Sequence, residues 1–110
     1  MPTEMTEPAR PTAEAPASLP DLILYTRDGC HLCDEARDLL AALLAQRADA
    51  GLPVPRLVER DIATNATWER AFLTTIPVAE LGAHRVELAT SAAALRRLLD
   101  EGLPAAPARA

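Results

Sequence analysis

Aromatic side chains are nearly missing from this chain: Tyr25, Trp68 and Phe72 are the three among 110 residues. A hydrophobic core must therefore be built from Leu, Ile, Val and Ala, and with 49% of the residues apolar the material is there. An excess of positive charge is missing as well. A formal charge of −5 offers no electrostatic footprint for nucleic acid or an anionic membrane. Long apolar runs do not occur either. The longest stretch of small apolar residues, Leu39 to Ala45, falls far short of the ~20 residues of a membrane span. Glu4, Glu7 and Glu14 stand near the start with no apolar run beside them, unlike a secretory signal. The expected location is therefore the cytoplasm. Cysteine is scarce too: the chain has 2, which excludes a disulfide-stapled scaffold. In a cytoplasmic setting a cysteine pair is more often transient and catalytic than structural.

The length suits one compact domain and not two. Over residues 1–19, Pro2, Pro8, Pro11 and Pro16 lie among Thr, Glu and Ala without periodicity. Such a segment cannot bury enough apolar surface to offset its ordering entropy, which predicts a disordered tail. Residues 104–110 read as a flexible C-terminal tail. The expected domain is thus 20–103.

Within it, Leu22-Ile23-Leu24-Tyr25 is a short continuous apolar run, as in a strand buried on both faces. Arg27-Asp28-Gly29 is a turn. From His31 the period changes: Leu32, Ala36, Leu39, Leu40, Leu43 and Leu44 share one helical face, and Gly51, Pro53 and Pro55 end the helix. Leu57 and Val58, between Arg56 and Ile62, predict a second strand ending at Asp61. Thr64 or Asn65 caps a short helix running to Leu73, with Trp68, Ala71 and Phe72 as its apolar positions. Ile76-Pro77-Val78-Ala79 opens a third strand, and Gly82 turns it into a fourth spanning Arg85 to Leu88. Thr90 or Ser91 caps a last helix with Leu95, Leu98 and Leu99 inward, ending at Gly102. The order is β-α-β-α-β-β-α, with a parallel opening pair and an antiparallel closing hairpin.

The two cysteines, Cys30 and Cys33, follow a strand and turn and open a helix. That context suits thiol chemistry. The thiolate is the nucleophile, and the unpaired N–H groups at a helix N-terminus stabilise it and lower its pKa. Gly29 leaves room for a substrate sulfur to approach Cys30, while Cys33, one turn on, is placed to attack the mixed disulfide. His31 and Arg27 are candidate stabilisers of the anion, opposed by Asp34 and Glu35; plain solvated loop residues are an equal reading of both. A structural zinc site needs about four ligands. Beyond the cysteines there are only His31, inside the motif, and His84, in a distant hairpin, so no metal is expected. A structural disulfide and a pair of inert core cysteines are the remaining alternatives.

The run Leu24-Tyr25-Thr26-Arg27-Asp28-Gly29-Cys30-His31-Leu32-Cys33-Asp34-Glu35-Ala36 resembles the opening of small bacterial glutaredoxin-like proteins of the thioredoxin superfamily. The resemblance extends over residues 20–103. It implies a thioredoxin-like α/β fold with a four-stranded mixed sheet and three flanking helices. A second match is Thr75-Ile76-Pro77. The resemblance implies that the Ile76–Pro77 bond is cis, that Pro77 packs near the cysteines, and that Thr75 and Ile76 line a groove for an incoming peptide or glutathione. An ordinary proline opening a strand is the other reading of Pro77. Departures are informative. His31-Leu32 stands where glutaredoxins carry Pro-Tyr. Thr90-Ser91-Ala92-Ala93 replaces the Gly-Gly-x-Asp-type segment that holds glutathione, although its backbone N–H groups can still hold a carboxylate.

The expected activity is dithiol–disulfide exchange, with Cys30 and Cys33 catalytic and Arg27, His31, Thr75, Ile76, Pro77, Thr90 and Ser91 around the substrate. Disulfide-containing proteins or small thiols are the expected partners, together with an external reductant. No cofactor is expected to be bound; glutathione or another low-molecular-weight thiol is the co-substrate the resemblance admits. The expected state is a monomer, with neither nucleic acid nor membrane as a partner. Two other functions stay open: a module sharing an iron–sulfur cluster through Cys30, and a non-catalytic docking domain of the same fold. Trp68 and Phe72 read as core, Arg96-Arg97 as a solvated face, and Asp61 as a turn former.

Overall fold

A computed structural model of the chain describes residues 19–104. Among these residues four strands and three helices follow in the order β1 Leu22–Thr26, α1 His31–Asp49, β2 Leu57–Asp61, α2 Ala66–Phe72, β3 Val78–Leu81, β4 His84–Val86 and α3 Ala92–Gly102. A single 3₁₀ turn, Ile62–Thr64, links β2 to α2. The sheet order is β2-β1-β3-β4. Strand β1 runs parallel to β2 and antiparallel to β3, and β3 and β4 form a hairpin. Gly82 supplies the positive φ of 61° that this tight turn takes.

Side-chain alternation along the strands divides the interior in two. Leu22 and Leu24 of β1, with Ala79 and Leu81 of β3, face α1 and α3 in the larger cluster. Tyr25 and Val78 point the other way, into a smaller cluster with Ile62 and Phe72, against which Ile23, Trp68 and Ile76 also pack. Because β1 is covered on both faces, it reads as the continuous apolar run seen in the sequence.

The inward stripe of α1 is Cys33, Ala36, Leu40, Leu43 and Arg47. Expectation and structure differ here. Leu32 does not lie on the inward face; it is 45% exposed, and Cys33 takes its place with no exposure at all. Adjacent helical residues are rotated by about 100°, so a stripe that begins at Cys33 turns Leu32 outward. The same stripe ends on a buried cation. Arg47 donates to the carbonyls of Pro53 (2.8 Å) and Pro104 (3.3 Å) and to Asp100 (3.3 Å). It thereby ties the loop after α1 to α3 and to the chain beyond it.

In α2, Asn65 rather than Thr64 is the cap, its Oδ1 accepting the amides of Thr67 and Trp68. Phe72 is buried and Trp68 half-buried, whereas Ala71 is exposed. A helix of two turns reaches the sheet only through its aromatic pair at i and i+4, and Ala71 lies off that line. Ser91 caps α3 by accepting the Ala94 amide at 3.2 Å, and Leu95, Leu98 and Leu99 are buried as expected. Strand β3 begins at Val78 rather than Ile76, because Pro77 has no N–H for the ladder. Strand β4 ends at Val86, since Leu88 adopts a left-handed φ of 48° and leaves the extended path. That conformation costs a bulky residue about 1–2 kcal/mol.

The tails expected at 1–19 and 104–110 lie outside the described residues except for Leu19, which packs against the larger cluster, and Pro104. Gly102 closes α3 against β3: a Cβ there would meet Leu81 Cδ2 at 2.6 Å and Cγ at 2.8 Å. Leu81 is fully buried and has nowhere to move. Gly102→Ala should therefore destabilise the domain by about 1–3 kcal/mol, despite alanine's better helix propensity. A urea unfolding curve checks this; an unchanged or raised midpoint would show that the close approach is relaxed at no cost.

Candidate functional site

Chain geometry brings the cysteines to the C-terminal end of β1. The turn from Arg27 to Cys30 closes with the Cys30 amide donating to the Arg27 carbonyl at 3.2 Å. Gly29, with φ of 77°, allows it. Cys30 is then the N-cap of α1: its backbone is extended, and its Sγ accepts the Cys33 amide at 3.1 Å. Side-chain oxygens usually fill this place. A sulfur there is held against the unpaired N–H groups and positive dipole end of a 19-residue helix, the setting that favours a thiolate. Cys30 and Cys33 are joined as a disulfide, with their Cα atoms 5.1 Å apart. Cys30 is half-buried and Cys33 entirely buried beneath it.

Strand register decides which other candidates reach this end. Tyr25 of β1 stands opposite Val78 of β3, so Pro77, just before Val78, lies beside the end of β1. Pro77 is fully buried, and the Ile76–Pro77 bond is cis. The segment after β4 is tied to the same place. The Leu88 amide donates to the Thr75 carbonyl (2.9 Å) and the Ala89 amide to the Pro77 carbonyl (2.8 Å). Thr75, Ile76, Pro77, Thr90 and Ser91 are thus gathered at the end of the sheet that carries the dithiol, with Arg27 and His31 exposed on its rim. Some of their polar groups are already engaged. The Ile76 amide donates to the Phe72 carbonyl (3.0 Å), and the Ser91 hydroxyl is occupied as the α3 cap.

One network escaped the sequence reasoning. Thr26, the last residue of β1, is buried and donates its hydroxyl to Glu59 of β2 at 2.9 Å. Arg37, one turn beyond Cys33 on α1, grips Glu59 with Nε at 2.8 Å and a terminal nitrogen at 2.6 Å. Its other terminal nitrogen reaches Asp34 at 2.8 Å. The Arg37 hydrogen bond holds the Glu59 carboxyl below its ordinary range; burial pushes the other way, and the Thr26 hydroxyl and the Arg37 charge add to the lowering. The first turns of α1 are in this way strapped to β2. Asp34 and Arg37 at i, i+3 were a legible pair. Glu59 was not, because only the β1–β2 register places it beneath them.

The smaller cluster supports the site from the other face. Phe72 packs on Tyr25 with ring centroids 4.4 Å apart, and Trp68 meets Tyr25 edge-on at 5.8 Å. The Arg60 guanidinium lies 5.1 Å from the Trp68 ring centroid and that of Arg85 lies 5.3 Å from Phe72, within cation–π range. Glu80 accepts from both the Tyr25 hydroxyl (3.3 Å) and Arg85 (2.9 Å).

A family model described as a glutaredoxin-like domain (DUF836) matches residues 21–101. The chain belongs to this glutaredoxin-like family. The X-ray structure of target protein XcR50 from X. campestris is similar at 31% identity and a TM-score of 0.58, covering 73% of this chain and 96% of that one. The solution structure of XcR50 gives 33% identity and a TM-score of 0.54, covering 74% of this chain and 94% of that one. No curated protein matches. The four-stranded mixed sheet and three helices are those of an α/β thioredoxin-like fold, and the glutaredoxin-like domain carries its Cys30–Cys33 pair at the end of the first strand.

The Glu59 strap has a pH signature. Its folded pKa is depressed, so its stabilisation is fully present above the unfolded Glu range, about 4.3, and is lost as pH falls through the folded value. The stability gap between the native protein and Glu59→Gln should therefore be widest near neutrality and close in acid. Unfolding curves between pH 7 and 3 check this, and a gap that does not change with pH would exclude the ionised strap.

Proposed function

We propose that this glutaredoxin-like chain is a thiol–disulfide oxidoreductase in which Cys30 attacks and Cys33 resolves. The observation that carries this reading is the asymmetry of the pair. Cys30 caps a helix with its Sγ and is only half-buried, whereas Cys33 is wholly buried one turn behind it. The first is placed to meet a substrate, and the second to meet only the first.

In the reduced protein the Cys30 thiolate attacks one sulfur of a substrate disulfide, and the other sulfur leaves as a thiolate that takes up a proton. Cys33, deprotonated, then attacks Cys30 Sγ. The Cys30–Cys33 bond forms, and the second substrate sulfur leaves and is protonated in turn. Two electrons have passed from the protein dithiol to the substrate disulfide. Pro77 shapes the floor beside the cysteines, and Thr75 and Ile76 form its edge. Arg27 adds positive charge at the rim with His31 beside it, while Thr90 and Ser91 bring the start of α3 to the substrate. Electrons return from an external reductant, a low-molecular-weight thiol or a reductase, in a reducing compartment such as the cytoplasm.

Equilibration against glutathione redox buffers, with the thiols counted by an alkylating mass tag, tests this. The native protein is expected to lose both thiols together, reversibly and in one two-electron transition to an internal disulfide, which neither Cys30→Ser nor Cys33→Ser can form. Cys33→Ser should also accumulate a mixed disulfide at Cys30, whereas Cys30→Ser should not form one at Cys33 at a comparable rate. The absence of any transition in the native protein over a wide buffer range would sink the oxidoreductase reading.

A further inference from the structure

Four large apolar side chains stand out among the described residues as exposed: Leu32, Val54, Leu73 and Leu88. Three of them belong to segments at the dithiol end of the sheet, while Val54 precedes β2 at the opposite end. Leu32 lies between the two cysteines. Leu73 follows α2, two residues before Thr75. Leu88 is tied through its amide to the Thr75 carbonyl, yet its side chain is 54% exposed. It also holds a left-handed φ of 48°, a region that bulky residues avoid and that marks functional loops when they occupy it. A glycine or asparagine would make this bend more easily, so the leucine is not there for the turn.

The charge around these leucines points to what covers them. Asp28, Glu35 and Glu87 are exposed and make no ion pair among the described residues, whereas the acid of Asp34 is met by Arg37. Arg27 is the exposed cation of the same turn; at the end of β2, Arg60 and Asp61, neither in an ion pair among the described residues, offset each other. The dithiol end therefore combines apolar contacts with a negative surplus. Glutathione, with two carboxylates and little apolar surface, complements neither. A polypeptide with apolar and basic residues beside its cysteine complements both.

We infer that the substrate is a protein disulfide flanked by apolar and basic residues, with Leu32 and Leu88 as specificity-determining contacts. The inference rests on the oxidoreductase reading above and names its substrate class. The covalent steps are those already described; the leucines act on the encounter with the substrate and not on electron transfer.

The full chain, reduced beforehand and freed of reductant, is to be mixed in single turnover with oxidised glutathione and with two peptide disulfides. One peptide carries Leu and Arg beside the cysteine, the other Ser and Glu. Hydroxyethyl disulfide, small and neutral, is the reference. The Leu/Arg peptide should react on the order of ten-fold faster than the other two, and added salt should narrow the gap between the peptides. Leu88→Asn should lower the Leu/Arg peptide's advantage over hydroxyethyl disulfide about five-fold, and Leu88→Met should keep it. Asparagine tolerates the left-handed backbone, so such a loss reports the side chain and not a broken loop. Glutathione or the acidic peptide reacting as fast would overturn the inference, as would an advantage that survives Leu88→Asn. If hydroxyethyl disulfide also fails to react, the oxidoreductase reading falls and the inference falls with it.

Discussion

A strand covered on both faces must hide nearly all the side chains it carries: in β1 Leu22, Leu24, Tyr25 and Thr26 are buried and Ile23 is half-buried. Helices α1 and α3 cover one face, and the short α2 covers the other. The chain can leave such a strand only at its ends, and at the C-terminal end it turns at once into α1. Thr26 carries the condition further. A buried hydroxyl without a partner is costly, and this one is satisfied by Glu59, which in turn is held by Arg37. A requirement set in the core thus becomes a polar strap on the helix whose first residues flank the cysteines.

The same end of the sheet receives two further segments, because β3 runs antiparallel to β1 and β4 antiparallel to β3. The chain therefore enters β3 and leaves β4 next to the dithiol. Hydrogen bonds from the Leu88 and Ala89 amides to the Thr75 and Pro77 carbonyls lock these segments together. The scarcity of aromatics is no handicap in this plan. All three rings are spent in one place, under α2, where a helix of two turns could not otherwise cover the face of β1 and β3. The helices on the opposite face are longer and manage with leucine and alanine.

Much of this was legible in the residues. The apolar run of β1, the Cys30 helix start, the caps to within a residue (Thr64 or Asn65, Thr90 or Ser91), the hairpin at Gly82 and the inward leucines of α3 are all local signals. Misreadings arose where periodicity left a choice. Leu32 fits the apolar stripe of α1 by its spacing, but Cys33 fits one as well, and the structure buries the sulfur instead. Ala71 fits the period of α2, but a helix that short contacts the sheet through its large side chains alone. Strand ends shifted where Pro77 and Leu88 leave the ladder, and no neighbouring residue announces a left-handed leucine.

The chain order by itself determined the element sequence, the family and the place of Cys30 at the start of a helix, because these rest on residues close together along the chain. Tertiary structure alone decided that Cys33 is sealed while Leu32 faces outward, that Glu59 lies beneath Arg37, and that Leu88 stands beside Thr75. Each of these joins residues from different strands or depends on which way a helix is rotated against the sheet. Register and rotation are set by packing the whole core at once, and no local pattern specifies them.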